Sequence, residues 1–154
     1  MLRIGKMSDY ALLLTNYMVG RTDSLCTTED IVKACRLPLA TVRKLLKKLV
    51  DAQIVISYRG VRGGYRLARE PRDITIAEVI GAIEGPIALT ECSQQQGECN
   101  LSADCGLRQN WNYVNQIVAA LFSNISLAQM AESEPAKLLD QGKSVEQIFT
   151  FQSN

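Results

Sequence analysis

Residues 41–68 read TVRKLLKKLVDAQIVISYRGVRGGYRLA. In the first half, Val42, Leu45, Leu46 and Leu49 fall at i, i+3, i+4 and i+7, the spacing of an apolar stripe on an amphipathic helix. Thr41, Arg43, Lys44, Lys47 and Lys48 take the other face. Pro38, tolerated in a first turn, opens this helix over residues 38–51. The second half changes period. Ile54-Val55-Ile56-Ser57-Tyr58 is short and β-branched, Arg59-Gly60-Val61-Arg62-Gly63-Gly64 is a glycine-rich turn, and Tyr65-Arg66-Leu67-Ala68 resumes an alternating strand. A cationic helix followed at once by a hairpin with a cationic tip is the order of a reading helix and its wing.

Outward from this stretch the pattern holds. Upstream, Ser8 is the expected N-cap, with Asp9 at the positive end, of a helix over residues 9–20 that carries Ala11, Leu12, Leu14, Tyr17 and Met18 and stops at Gly20. Thr27 or Thr28 caps a short second helix whose inner face is Ile31, Val32 and Ala34. Downstream, Thr75 and Glu78 form a capping box for a helix that buries Ile76, Val79, Ile80 and Ile83 and ends before Gly85-Pro86. From Leu107 the chain is helical again. Trp111, Val114, Val118, Leu121 and Ile125 repeat at 3-4-3-4, with Ile117 beside them, a seam that suits a partner helix. A second capping box, Ser126 and Gln129, marks a break near Asn124 and the start of a separate helix. The expected fold is mainly α with a small β-hairpin: a winged helix-turn-helix over 1–85, a cysteine-rich loop over 86–106, and a long C-terminal dimerisation helix over 107–132. A tail over 133–154, with a late apolar cluster at Val145, Ile148, Phe149 and Phe151, is expected to be partly disordered.

Charge points the same way. The formal net charge of the 154-residue chain is +1, but between Arg36 and Arg72 ten basic residues face two acidic ones, a local +8. Elsewhere seven basic residues face fourteen acidic ones, −7. A basic helix alone is as often a solvated face; joined to a basic wing it is a footprint for a polyanion. Thr41, Arg43 and Lys44 are the expected contacts to base edges or nearby phosphates, and Lys47, Arg59 and Arg62 to phosphates, on double-stranded DNA with a pseudo-palindromic operator read by a homodimer. No run approaches the ~18 apolar residues of a membrane span, and the first helix reads as core rather than leader, so a cytoplasmic protein without a membrane partner is expected.

The chain has five cysteines and no histidine. Without histidine there is no His-based catalytic dyad or triad and no Cys/His zinc site. Cys26 and Cys35 read as small buried residues of the second-helix region. Cys92, Cys99 and Cys105 are different. They sit in ECSQQQGECNLSADCG, a polar stretch with no packing reason to gather thiols, at spacing C-x6-C-x5-C. Soft thiolates suit iron–sulfur clusters, zinc or copper(I), and this spacing matches no zinc ribbon, which wants C-x2-C pairs.

The string over 41–68, followed by DITIAEVIGAIEG and three spaced cysteines, resembles the Rrf-type winged-helix regulators that include IscR, NsrR and the SUF-system regulators. The resemblance covers about residues 1–132, and the opening MLRIGKMSDYALLLTNYM is most similar to the SUF regulators. It implies a homodimeric transcription regulator, not an enzyme, in which Cys92, Cys99 and Cys105 hold a [2Fe-2S] or [4Fe-4S] cluster whose state alters DNA binding, with repression of iron–sulfur assembly (SUF) genes as the function. A cluster normally takes four ligands. Some members place a histidine three residues after the last cysteine; here that residue is Arg108, which cannot ligate. Asp9, Asp104, Glu98, Glu91 and the other two cysteines stay open as the fourth ligand. NsrR-like members use an aspartate in the segment matching KMSDYA, supplied by the other subunit, which singles out Asp9. A nitric-oxide-responsive repressor is the alternative within the family. An iron–sulfur electron carrier is the alternative of another class, and a structural metal or disulfide module a third.

Overall fold

The computed structural model describes residues 3–93 and 105–132. The elements run α1 (Lys6–Val19), α2 (Thr28–Cys35), α3 (Leu39–Asp51), β1 (Val55–Tyr58), β2 (Gly64–Leu67), a 3-10 turn (Pro71–Asp73), α4 (Ile76–Glu84), a second 3-10 turn (Glu91–Ser93), α5 (Arg108–Ser123) and α6 (Leu127–Ala131). Mainly helical with one antiparallel hairpin, this is the winged helix-turn-helix expected. The tail over 133–154, with Val145 to Phe151, lies outside the described residues, as do Cys99, Glu98 and Asp104.

The stripe of α3 organises the head. Val42, Leu45, Leu46 and Leu49 are all buried, packed with Leu14 and Met18 of α1, Ile31 of α2 and Val79 of α4. Burying each such side chain is worth about 1.5–3 kcal/mol. Between α2 and α3 the chain turns through Arg36, held in the left-handed region at φ 53° and ψ 38°, and drops Leu37 into the core before Pro38. Pro38 is the N-cap rather than a first-turn residue, so α3 starts at Leu39.

The N-terminal expectation needs correcting. Helix α1 begins at Lys6 and its N-cap is Gly5. Ser8 lies inside the first turn, fully buried, with its hydroxyl unpartnered among the described residues. A Cβ on Gly5 would overlap the Glu84 carboxylate at the end of α4. An anion from another element thus sits where a local cap would, at the positive end of α1. The other caps follow the sequence. Thr27 caps α2, Thr75 caps α4 and Ser126 caps α6, each in a reciprocal capping box.

The wing pairs Val55 with Leu67, Ser57 with Tyr65 and Tyr58 with Gly64. A third strand-like bridge was not legible in the sequence: Cys26 donates to the Tyr65 carbonyl at 2.8 Å and accepts from its N–H at 2.9 Å. This explains Gly64, where a Cβ would stand 2.9 Å from the Cys26 carbonyl oxygen. Gly60 takes φ +115° at the tip, a conformation side chains rarely adopt.

After α5 the chain returns to the head. The Ile76 N–H donates to the Ile125 carbonyl and the Leu127 N–H to Ile74, pairing the entry of α6 with the entry of α4. Leu127 is buried in the head's core. The expected break near Asn124 is present, and α5 ends at Ser123.

Glu78 joins the wing to α4. Its carboxylate accepts from the Thr75 N–H and from the Arg69 guanidinium, which also donates to the Asp73 carbonyl. Burial alone would raise its pKa; the bonds from Thr75 and Arg69 outweigh that and hold it below its ordinary value. A depressed carboxylate stabilises the fold above the unfolded pKa and stops doing so as pH falls through the folded one. Glu78→Gln should therefore be less stable than wild type in urea at neutral pH, and the gap should shrink below pH 4.5.

Candidate nucleic-acid interface and cysteine-bearing segment

Burying one face of α3 turns the other outward. Arg43, Lys44 and Lys47 are exposed on it, with Thr41 half-buried beside them. The first turn of α3 holds no acid and no side-chain cap, so the helix's own positive end adds to the cationic face. The wing presents Arg59, Val61 and Arg62, all exposed, on either side of the Gly60 turn. Arg66 lies 5.1 Å from the centre of the Tyr58 ring, a cation–π contact along β1 and β2. A groove of about 230 Å³ separates helix from wing, lined by Arg43, Leu46, Lys47, Val50, Ser57 and Tyr65 among others. The six residues expected to touch DNA thus occupy two elements, with Arg43 and Lys47 lining the groove between them. The arrangement suits a helix in a major groove with a hairpin beside it.

Lys48 departs from expectation. It was read as part of the cationic face, but its Nζ donates to the Ile83 carbonyl in the last turn of α4. That places an ammonium at the negative end of a helix and ties α3 to α4. The sequence signal was present in principle: Lys48 lies beside Leu49 and flanks the stripe, where a long side chain can reach a neighbouring element.

A second region lies at the far end of α4. Past Gly85 the chain is clasped to α5 by the side chain of Asn115. Asn115 donates from Nδ2 to the Ile87 carbonyl and accepts at Oδ1 from the Leu89 N–H, both at 3.0 Å. The 3-10 turn that carries Cys92 then packs on α5 and is braced by a 2.9 Å bond between the Thr90 and Ser93 hydroxyls. Cys105 enters α5 from the other side: its carbonyl accepts from the Arg108 N–H at 3.2 Å. The structure therefore brings the backbone of Cys92 and that of Cys105 to the same helix, while Cys99 lies outside the described residues. Asp9 is exposed in the first turn of α1. Among the described residues no three Cys, Asp or Glu side chains gather into a metal site.

The described cysteine side chains divide by environment. Cys26 and Cys35 are buried in the head, and burial pushes both thiols above their ordinary pKa. A raised pKa keeps them as thiols, poor ligands and poor nucleophiles. Cys105 is half-exposed outside that core. In donor chemistry Cys92, Cys99 and Cys105 fit a soft iron–sulfur centre, and Cys105 stands outside the core; the two core thiols do not fit one.

Helix α5 has no fully buried residue. Trp111, Val114 and Leu121 of the expected seam are exposed, as is Tyr113. Phe122 and Ile125 turn inward against the head, and Val118 with Phe122 lines a cavity of about 250 Å³ bounded by Arg3 and Ile4 ahead of α1, by α4 and by the 85–89 segment. The seam therefore splits, Val118 and Ile125 facing inward and Trp111, Val114 and Leu121 remaining exposed. Among the described residues no helix is long and apolar enough to cross a membrane.

These features define a winged-helix, DNA-binding transcription regulator. The sequence profile of the Rrf2 family, described as an iron-dependent transcriptional regulator, matches residues 4–133, and the chain belongs to that family. It is 30% identical over 113 residues to the HTH-type transcriptional regulator IscR of Vibrio parahaemolyticus, covering 73% of this chain and 67% of that one. Among solved structures it is similar to CymR (YrzC), the global cysteine regulator of B. subtilis, with TM-score 0.67, 24% identity and coverage of 85% of this chain and 97% of that one. The T. potens IscR structure gives TM-score 0.66 at 24% identity, covering 88% and 91%. Members of the family are regulators and not enzymes.

Lys47 and Lys48, adjacent in sequence, should separate cleanly on substitution. Lys47→Ala should weaken binding to all DNA sequences alike and lower the salt slope of log K by about one unit, with stability unchanged. Lys48→Ala should lower stability by about 1 kcal/mol, the worth of a charge-assisted bond at a helix end, with the salt slope unchanged. Binding titrations across salt and urea denaturation of both variants check the contrast.

Proposed function

We propose that this protein is a homodimeric, cytoplasmic repressor of iron–sulfur cluster assembly (SUF) genes that senses an iron–sulfur cluster. The observation that carries this reading is the continuity of the chain: α4 of the DNA-reading head runs within a few residues into the turn bearing Cys92, and that turn packs on the helix that Cys105 opens. The iron-dependent family description and the likeness to IscR support it, and the similarity of residues 1–18 to SUF regulators supports the choice of target genes.

Cys92, Cys99 and Cys105 would hold the cluster, [2Fe-2S] or [4Fe-4S], and Asp9 of the other subunit would complete the ligand set. A bound cluster supplies a site that oxidation, nitric oxide or iron starvation can alter. The chain's own residues do the rest. An oxygen ligand is weaker than a thiolate, so Asp9 makes one side of the ligand set easy to release. Supplied across a dimer, it would tie α1 of one head to the cysteine segment of the other, and its release would free a restraint on the two heads, shifting a pre-existing equilibrium between arrangements. Trp111, Val114 and Leu121 would pair the two copies of α5. Thr41, Arg43 and Lys44 would reach base edges, and Lys47, Arg59 and Arg62 the phosphates of a pseudo-palindromic operator.

Anaerobic purification followed by absorbance and Mössbauer spectroscopy should show a cluster and assign its type. Operator binding should be sub-micromolar and salt-dependent, and should change when the cluster is removed. Protein purified without iron that binds the operator identically after Cys92, Cys99 and Cys105 are all replaced by Ala would sink the sensing role. A Val114→Glu, Leu121→Glu double variant should sediment as a monomer and bind operator at least tenfold more weakly; sedimentation as a dimer would remove α5 from the interface.

A further inference from the structure

We propose that Asn115 is a positioning residue for the thiolate ligands, holding the strand of chain that enters the cysteine-bearing segment in fixed register on the helix that leaves it. The inference rests on the cluster reading above and names a residue whose contacts are with backbone, not with iron. Asn115 uses both ends of one carboxamide on a single irregular stretch of chain, donating to Ile87 and accepting from Leu89 across separations of 28 and 26 residues. Opposite demands two residues apart on one backbone fix which end of the amide points where. In sequence all three spaced cysteines lie between Leu89 and Asn115. Cys92 follows Leu89 by three residues, and its turn is braced by Thr90 and Ser93. Cys105 opens the helix on which Asn115 stands.

The choice of residue is itself informative. Asparagine is a poor former of helix interiors, because its side chain competes for backbone groups. In the middle of α5 it makes no bond of that kind; its bonds go to the segment carrying Cys92. Phe122 packs on the head at the far end of α5, whereas Trp111, Tyr113 and Val114, nearer Cys105, are exposed; there the clasp is a specific polar lock where an apolar contact would suffice for mere adhesion. Outer-shell groups bonded to metal ligands typically change affinity 10- to 100-fold when removed, and Asn115 acts on the chain next to a ligand, at the lower end of that range.

The test uses full-length protein in two states. With the cluster present, a chelator challenge followed by the decay of visible absorbance should show Asn115→Ala losing its cluster about tenfold faster than wild type. Asn115→Asp, which keeps the acceptor for Leu89 but cannot donate to Ile87, should lie between them. Without the cluster, in a Cys99→Ser background, the equilibrium between reduced protein and an intramolecular Cys92–Cys105 disulfide in a glutathione buffer reports the effective concentration of the two thiols. That concentration should fall about tenfold in Asn115→Ala, while the thermal midpoint of the head stays within a few degrees. Equal decay rates and equal effective concentrations in wild type and Asn115→Ala would overturn the proposal. A midpoint that falls together with both readouts would overturn it as well, since Asn115 would then be holding the fold. A fall in effective concentration in protein that never carries a cluster would support the positioning role and sink the cluster reading instead.

Discussion

The rest of the molecule depends on the burial of four side chains of α3: Val42, Leu45, Leu46 and Leu49. Once they enter the core, the helix has no rotational freedom, and Arg43, Lys44 and Lys47 must face solvent. The same burial fixes where β1 begins, because Ile54 and Val55 continue into the core directly after the helix ends. The wing is then carried alongside by backbone pairing rather than by a core of its own. Its hairpin would be marginal alone; the bridge from Cys26 to Tyr65 and the bonds of Arg69 and Glu78 attach it on both flanks. Cationic groups on helix and wing are thus held at a fixed spacing by apolar atoms that never meet DNA.

The end of α4 is where the head meets everything else. Lys48 of α3 reaches the Ile83 carbonyl, Glu84 stands against Gly5 at the start of α1, and three residues later the chain reaches Ile87, where Asn115 clasps it. Three elements with different expected roles converge within one turn. A displacement of that turn could not leave α3 or the first turn of α1 undisturbed, and Asp9 lies in that first turn.

Much of the fold was legible because its signals are local. The α3 stripe, the two-period switch into the wing, and the Thr75 and Ser126 capping boxes each depend on residues within a few positions of one another. The errors share the opposite character. Ser8 looked like a cap because the anion that serves the start of α1 comes from Glu84, far away in sequence. Lys48 reads as part of the exposed cationic face because its partner is a backbone carbonyl on another helix. Asn115 was missed because an asparagine in a helix carries no periodic signal, and its partners lie beyond the cysteines. The candidate contacts on α3 and the wing were readable from charge and order; the ligand set was readable only as residue types, because three of the proposed ligands lie between α4 and α5 and the fourth in another element.

One feature of the path reaches beyond the site. Helix α6 follows the long helix, yet Leu127 fills the head's core and Ser126 pairs with Thr75. The reading head is therefore completed by chain that comes after α5, not only by chain that comes before it. Helix α5 is anchored to one body at both ends, like a handle rather than a mast. The head cannot be excised or exchanged as a cassette by cutting ahead of α5, and a hybrid between relatives would have to trade α6 together with the winged helix it seals.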